Sequence, residues 1–481
     1  MNELQFQALL PFIVLAAASI LVILSIAFGR SHTFIQVAGF GMMCLVVLAM
    51  WLVRDALPRE IAPLLVVDGL GALFTGLIIF SVLVIGLLSF IYFEEREENP
   101  KEYYILLFLA TLGSAVLTIS RHFISLFIGL ELLSVSLYAL IAYLRTRNNA
   151  VEAGMKYLML AALSSAFLLF GMALIYLETG SMEFTGIARG LPSSGTPILF
   201  IMGMGFLLVA IGFKLALAPF HLWAADVYQG APSPVTVFIA TVSKTGVFAV
   251  LLRFAQAVHL QQYPAAMTIV VVISVASMIV GNLLALQQQN IKRLLAYSSI
   301  AHFGYLLVAF LPGDAAGAEA GFFYLLAYSI TLLSAFGVIT LLSTRQEDAG
   351  DLSGYRGLFW RDPVMGAVLA VALLSLAGIP LTAGFLGKFL VLGAGIGRQL
   401  WVPVIVLVLT SVIGLYFYLR VISTLFEKMP PAPARARPLH PFFYYATYAV
   451  LILLMGLSFW LGTFPRPAIR EIEALLNIRL L

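Results

Sequence analysis

Apolar residues run along this chain in long blocks, neither alternating nor confined to one helical face. The blocks are about 18–28 residues long, and polar residues collect in the short stretches between them. A helix rises about 1.5 Å per residue, so each block can cross a hydrocarbon core of about 30 Å. The pattern predicts about fourteen spans, near residues 7–29, 34–53, 70–92, 103–120, 122–143, 151–178, 197–219, 235–259, 265–286, 293–311, 319–343, 364–396, 400–426 and 441–463. Only helices and closed barrels satisfy every backbone group in lipid. Barrel strands are much shorter than these blocks. The predicted fold class is therefore all-α, a polytopic membrane helical bundle. The first block lacks a basic leader and reads as a retained helix, not a cleaved signal.

Two predicted spans are interrupted. The seventh contains Pro219 within Gly212–Trp223, and the twelfth contains Gly378 and Pro380 within Ser375–Lys388. Proline removes a helical hydrogen bond and clashes one turn back. Lipid-embedded chains tolerate such breaks where protein or a wet cavity surrounds them. A repeat accompanies the breaks. Glu152-Ala-Gly-Met-Lys-Tyr-Leu158 opens the sixth span, and Glu319-Ala-Gly-Phe-Phe-Tyr-Leu325 opens the eleventh. The two strings lie five helices apart, as do the two broken spans. An odd offset reverses direction across the membrane, which predicts two inverted five-helix repeats with broken helices 7 and 12. The expected division is 1–100 for helices 1–3, 101–262 for the first repeat (helices 4–8), 263–428 for the second (helices 9–13), and 429–481 for helix 14 and the tail.

Composition agrees with the pattern: 62% of the 481 residues are hydrophobic and 10% are charged. A soluble domain carries about 25% charged residues, so lipid is the solvent for most of this chain. The net charge of +4 comes from basic residues scattered singly through short connections, which fits topology-setting and not nucleic-acid binding. With the N-terminus placed outside, the inner connections hold Arg30, Arg96, Lys101, Arg145, Arg147, Lys292, Arg293, Arg345, Arg356, Arg361, Lys428, Arg435 and Arg437. The outer ones hold Arg54, Arg59, Arg121, Arg189 and Arg398, with Arg466, Arg470 and Arg479 near the C-terminus. The bias puts both termini outside. Glu94-Glu-Arg-Glu-Glu98 reads as a solvated inner loop. The single cysteine, Cys44, excludes an internal disulfide, a cysteine zinc site and an iron–sulfur cluster. Six histidines offer no pair at haem-bridging positions. Electrons, where they matter, are expected to flow elsewhere.

A charge at mid-bilayer costs about 2.5–3.5 kcal/mol on insertion scales, which makes each one a functional suspect. The candidates are Glu131 in span five, Lys214 in span seven, Lys244 in span eight, His302 in span ten and Lys388 in span twelve. Lys156 in span six ranks lower because it can snorkel from near the inner end. Glu131 reads either as half of a structural ion pair or as the carboxylate that controls proton release from a lysine. A buried lysine can fall to a pKa of about 5–6, so it can switch charge near neutral pH. The bland alternative for each lysine is a helix-packing donor to backbone carbonyls. His302 has the intrinsic range to pass protons, although a lone buried histidine is more often a hydrogen-bonded core residue. Ser298, one turn earlier, could hold a bridging water. Lys388 follows the second break and takes the place of Lys214 in the repeat. Asp226 reads as a loop anchor.

These residues carry a family resemblance. His221-Leu-Trp-Ala-Ala-Asp-Val-Tyr-Gln-Gly-Ala-Pro-Ser-Pro-Val235, followed by Lys244, resembles the segment joining spans seven and eight in N-type, antiporter-like subunits of bacterial respiratory NADH–quinone oxidoreductase, complex I. Gly129–Glu131, Asn290–Ser299 and Ser375–Pro380 are similar to that family too, and the likeness covers nearly the whole chain. One departure is Ala225, where relatives usually carry proline. The resemblance implies a fourteen-helix fold in the bacterial inner membrane. It implies Glu131 paired with Lys214, and Lys244, His302 and Lys388 along a hydrated central axis, with Lys388 near the outer exit. It implies proton translocation driven by quinone reduction in neighbouring membrane and peripheral subunits. NAD, FMN, iron–sulfur clusters and quinone would be bound by those partners, with no cofactor in this chain. Two other readings stand beside it: a secondary sodium/proton antiporter of the related multisubunit family, and a scaffold whose charges only lock helices.

Overall fold

The computed structural model describes residues 3–94, 96, 100–191, 197–428 and 440–476. Glu95, Glu97, Glu98, Arg435, Arg437 and Arg479, assigned above to connections and the tail, lie outside these residues. Among the described residues, thirteen helices are long and apolar enough to cross a membrane. Spans one and two are Leu10–Ala27 and His32–Ala56, and spans three to six are Gly69–Glu94, Glu102–Ile119, Phe123–Ile141 and Asn148–Thr179. Spans seven to eleven are Ile198–Leu215, Ser233–Ala257, Pro264–Leu286, Ile291–Phe310 and Ala315–Leu342. Two shorter apolar helices, Pro363–Ala377 and Ala383–Gly397, together form span twelve; Trp401–Leu425 and Pro441–Thr463 are spans thirteen and fourteen. Every predicted span is present, and its ends fall close to the expected positions.

Local chemistry explains several ends. Ser31 caps span two by accepting from the Phe34 amide, Asn290 caps span ten through the Lys292 and Arg293 amides, and Asp314 caps span eleven through Gly317. Each side chain satisfies an amide that has no partner within its helix. The hydropathy pattern does not reveal the short elements between spans. These include an antiparallel hairpin, Arg59–Ile61 with Leu65–Val67, and a short helix, Ala224–Gly230, before span eight.

Span eight is buried over all but its last two residues, Gln256 and Ala257, and spans ten and eleven nearly so. Spans one, two and fourteen instead expose large apolar side chains such as Ile20, Trp51 and Phe442. Such faces suit acyl chains or a neighbouring membrane protein. In lipid, helices associate mainly through close packing, which small residues permit. Gly113 of span four meets the backbone of Gly129 and Leu133, and Gly281 of span nine meets that of Tyr297 and Ala301. A Cβ at either glycine would come within 3.0 Å of main-chain atoms.

Ionic clusters fasten the two ends of the bundle. At one end Arg121 pairs with Glu60 at 2.7 Å and Glu183 at 2.5 Å. Just inside that end, Arg253 of span eight grips Asp68 through two nitrogens, at 2.6 and 2.7 Å. At the other end Asp348 receives Lys292 at 2.8 Å, Arg147 at 3.0 Å, and the Ser233 hydroxyl at 2.7 Å. The connections alternate between these ends, as consecutive crossings require. Span eight is thus held at Ser233 and again at Arg253.

Burial alone would raise the Asp348 carboxyl, but the Lys292 charge and hydrogen bond, with the Tyr92 and Ser233 hydroxyls, hold it well below the usual carboxylate range. An unfolded aspartate titrates near about 3.9. A group depressed on folding contributes its stability fully above that value, and loses it as pH falls towards the folded value. Asp348→Asn is expected to lower stability by about 3 kcal/mol at pH 7. The gap from wild type should narrow only below about pH 4. Thermal unfolding of the detergent-purified protein across pH measures both, and a gap that closes near neutrality would contradict the assignment.

Candidate functional site

The first helix break creates the first buried amine. Span seven ends at Leu215, and Ala216 takes a left-handed conformation with φ 59°. The Trp223 indole N–H donates to the Phe213 carbonyl at 3.0 Å, filling a place the broken ladder leaves open. Lys214, in the last turn, is buried and donates to Ser134 Oγ at 2.6 Å. The Tyr157 ring lies 5.5 Å from its amine.

Glu131 stands one turn before Ser134, half-buried beside the exposed Ile128 and Val135. It accepts from Ser165 Oγ at 2.5 Å. The expected direct pairing of Glu131 with Lys214 is not formed. Each group is held by its own serine, with the carboxylate within electrostatic reach of the amine. Their proximity follows from the packing of spans five, six and seven, which side-chain spacing within a single span does not disclose.

Lys244 is the most deeply buried charge, with 0% exposure. A π-helical stretch, Ile239–Ser243, directly precedes it. Such wide turns redirect the side chains that follow and are frequent at functional sites. The Ser114 hydroxyl donates to the Val242 carbonyl inside the π turn at 2.7 Å. Lys244 donates to Ser299 Oγ at 2.6 Å and lies 4.4 Å from the Phe303 ring centroid. Ser299 also accepts from the Tyr328 hydroxyl at 2.7 Å and lies 3.4 Å from that of Tyr228.

One turn beyond Ser299 comes His302. Its Nδ1 is 2.6 Å from the Tyr324 hydroxyl and its Nε2 is 3.2 Å from that of Tyr418. Ser298, read above as a place for a bridging water, hydrogen-bonds Tyr418 directly. Lys388 lies on the second half of span twelve and reaches back across the break to the Ala377 carbonyl at 2.9 Å. That carbonyl ends the first half-helix, where the helix dipole favours a cation. The Lys388 amine also sits 5.3 Å from the Tyr305 ring centroid. Lys214 and Lys388 therefore differ in place: one ends the half-helix before its break, the other belongs to the half-helix after it.

Lys244, His302 and Lys388 thus adjoin one another around span ten. Lys214 approaches Lys244 through the neighbouring Tyr157 and Tyr228 rings. Lys156 does not join this row. It is exposed at the surface, paired with Glu152 at 2.7 Å and Asp226 at 2.9 Å, because its turn of span six faces outward. Asp226 also binds Arg293 at 2.7 Å and is the loop anchor its position suggested. Sequence reasoning missed Ser134, Ser299 and the tyrosines at 228, 328 and 418. A hydroxyl in a span carries no insertion cost large enough to single it out. Tyr324 alone among the His302 partners was marked, by the repeated Glu-Ala-Gly-x-x-Tyr-Leu string. Among the described residues, no cluster of three or more His, Cys, Asp or Glu side chains could hold a metal ion.

Residues 120–414 match the family model described as NADH:quinone oxidoreductase/Mrp antiporter, transmembrane. The chain is 44% identical over 473 residues to NADH-quinone oxidoreductase subunit N of Ectopseudomonas mendocina, covering 97% of this chain and 95% of that protein. A chain of respiratory complex I from Thermus thermophilus, solved with bound aureothin, superposes with a TM-score of 0.80 at 35% identity, over 94% of this chain and 98% of that one. A chain of the archaeal membrane-bound sulfane sulfur reductase gives 0.83 at 26% identity, over 98% and 97%. A chain of the Mrp complex from Dietzia sp. gives 0.84 at 21% identity, over 99% and 98%, and shares the fold.

The geometry separates surface from interior lysines by stability. Lys156→Ala is expected to leave stability close to that of the wild type, as for exposed ion pairs. Ser299→Ala strips the Lys244 amine of its acceptor and should cost about 1–3 kcal/mol. Thermal unfolding of the two purified variants gives the ranking, and the reverse order would refute this placement of the two lysines.

Proposed function

Since this chain belongs to the NADH:quinone oxidoreductase/Mrp antiporter transmembrane family, we infer that it is a proton-translocating membrane subunit of a redox-driven NADH-quinone oxidoreductase. It works within an enzyme complex alongside other membrane subunits. NAD, FMN, iron–sulfur clusters and quinone belong to the partner subunits. The chain is a multi-pass protein of the bacterial inner membrane with both termini on the periplasmic side. Helices 4–8 and 9–13 form its two inverted repeats.

One observation carries this reading: three amines and an imidazole, all buried, follow one another through the interior with few anionic neighbours. An ammonium has three donors, yet Lys244 meets a single protein acceptor, Ser299. A proton on such a group is held by few partners, and an approaching negative charge or water supplies another. Protons pass along Lys214, Lys244, His302 and Lys388, and Lys388 stands at the exit side. Glu131 controls the first step. From the rim of the bundle it responds to charge in a neighbouring subunit and acts on Lys214 across Ser134. Quinone reduction next door changes the field at that rim, and the row answers by shifting protons.

The energies are compatible. Moving one charge against 100 mV costs about 2.3 kcal/mol, and a change of about a hundredfold in affinity for the proton supplies about 2.7 kcal/mol. A sodium/proton exchanger would need a cluster of oxygen ligands for its cation. The row offers amines, an imidazole and phenols instead.

Lys214→Ala and Lys244→Ala should each lower NADH-driven proton uptake in inverted membrane vesicles by about tenfold or more, equivalent to at least about 1.4 kcal/mol in barrier. The complex should still assemble in both. Undiminished pumping by assembled variants would refute the relay. Sodium-dependent exchange without any redox substrate would favour the antiporter instead.

A further inference from the structure

His302 is bracketed by two phenols, and the role proposed for the lysines leaves those phenols unexplained. A neutral imidazole carries one N–H and one free lone pair. Here Nδ1 faces the Tyr324 hydroxyl at 2.6 Å and Nε2 faces the Tyr418 hydroxyl at 3.2 Å. Tyr418 is hydrogen-bonded in turn to Ser298, the chain neighbour of the Ser299 that receives Lys244. At the far end, Tyr324 lies against the half-helix that carries Lys388. A Cβ placed on Gly387 would come 3.1 Å from the Tyr324 ring and 3.2 Å from its Cα. Hydroxyls and imidazole thus connect from Ser298, beside Ser299, to Tyr324, whose main chain and ring edge pack on the half-helix that carries Lys388.

We propose that Tyr324 and Tyr418 are proton carriers, which hand protons into and out of His302 between Lys244 and Lys388. This rests on the relay reading above and adds members to it. The transfer balances without any charged phenol. Tyr418 gives its hydroxyl proton to Nε2 while taking one from the Ser298 side. The Nδ1 proton passes to the Tyr324 oxygen, which releases its own proton towards Lys388. One proton has moved, every member is neutral again, and the hydrogen bonds now point the other way. The hydroxyls and ring must turn back before the next proton passes, so the segment works in single strokes.

The internal repeat supports the assignment independently. Tyr324 is the tyrosine of Glu319-Ala-Gly-Phe-Phe-Tyr-Leu325, and its counterpart in the first repeat is Tyr157. Tyr157 is also fully buried, and its ring lies 5.5 Å from the Lys214 amine. Each copy of the motif therefore sets a tyrosine beside a buried base. Apolar packing would be served as well by phenylalanine, which already occupies the preceding position, Phe323.

The test uses the intact complex in inverted vesicles, with Tyr324→Phe, Tyr418→Phe and His302→Ala compared side by side. Phenylalanine keeps the ring and removes one oxygen. Tyr324→Phe should cut NADH-driven proton uptake by about tenfold in a complex that assembles normally. A second measurement places trifluorotyrosine at position 324, a more acidic phenol of nearly the same shape. The other titratable groups facing this segment are Lys244, Lys388, Tyr305, Tyr328 and Tyr418, and all are unchanged in that protein. The more acidic phenol ionises and stops donating at a lower pH, so the alkaline limb of its pumping profile should move towards neutrality by about one pH unit or more, which a purely structural hydroxyl would not cause. If Tyr324→Phe fails to assemble, the fluorinated protein decides by its profile. Normal pumping by Tyr324→Phe with an unmoved fluorotyrosine profile, while His302→Ala is impaired, overturns the tyrosine proposal and leaves the relay standing. Normal pumping by His302→Ala as well overturns the relay reading itself.

Discussion

A cation buried in a membrane must find partners inside the protein, and this chain gives its central cations few. Lys244 has one serine, Lys214 has another, and Lys388 has a single main-chain carbonyl. A carboxylate in contact would hold each proton permanently, and a wholly apolar pocket would keep each amine neutral. A lone hydroxyl or carbonyl beside an aromatic face lies between these extremes. That balance sets what the rest of the fold must supply.

The supply is rigid. Span eight carries Lys244 and is held near one end by Asp348 and near the other by the Asp68–Arg253 pair. The π turn between these clamps aims the lysine at Ser299, and Ser114 satisfies one of the carbonyls within that turn. The broken spans act differently. Each break exposes carbonyls that a continuous helix would use internally, and the chain fills them with Trp223 at one break and Lys388 at the other. The second break thereby becomes a ligand for its own cation.

Ion-paired charges and sparsely partnered ones are kept apart. Complete ion pairs lie towards the ends of the bundle, where Arg121, Asp348 and Asp314 fasten connections. The interior row has hydroxyls and rings for neighbours. Glu131 is the exception, an acid on the rim of the bundle beside exposed apolar residues. Such a site is poorly solvated and lies at the surface of the bundle, apart from the buried row.

The spans, the two breaks, the repeat and the presence of Lys214, Lys244, His302 and Lys388 within the spans were all legible in the sequence. Lipid makes them so: an apolar block must be long, a proline must interrupt it visibly, and a charge inside it stands out by its cost. What touches what was decided by tertiary structure alone. Lys156 ranked below the other span lysines only for its place near the end of span six, and it is the rotation of that span that turns it to the surface. Glu131 and Lys214 looked like a pair, yet each binds a serine instead. The tyrosines around His302 come from spans eleven and thirteen, and a phenol in a membrane helix is too ordinary to announce a role. A one-dimensional pattern records the cost of placing a residue in lipid, whereas its partners depend on helix rotation and packing, which only the folded chain fixes.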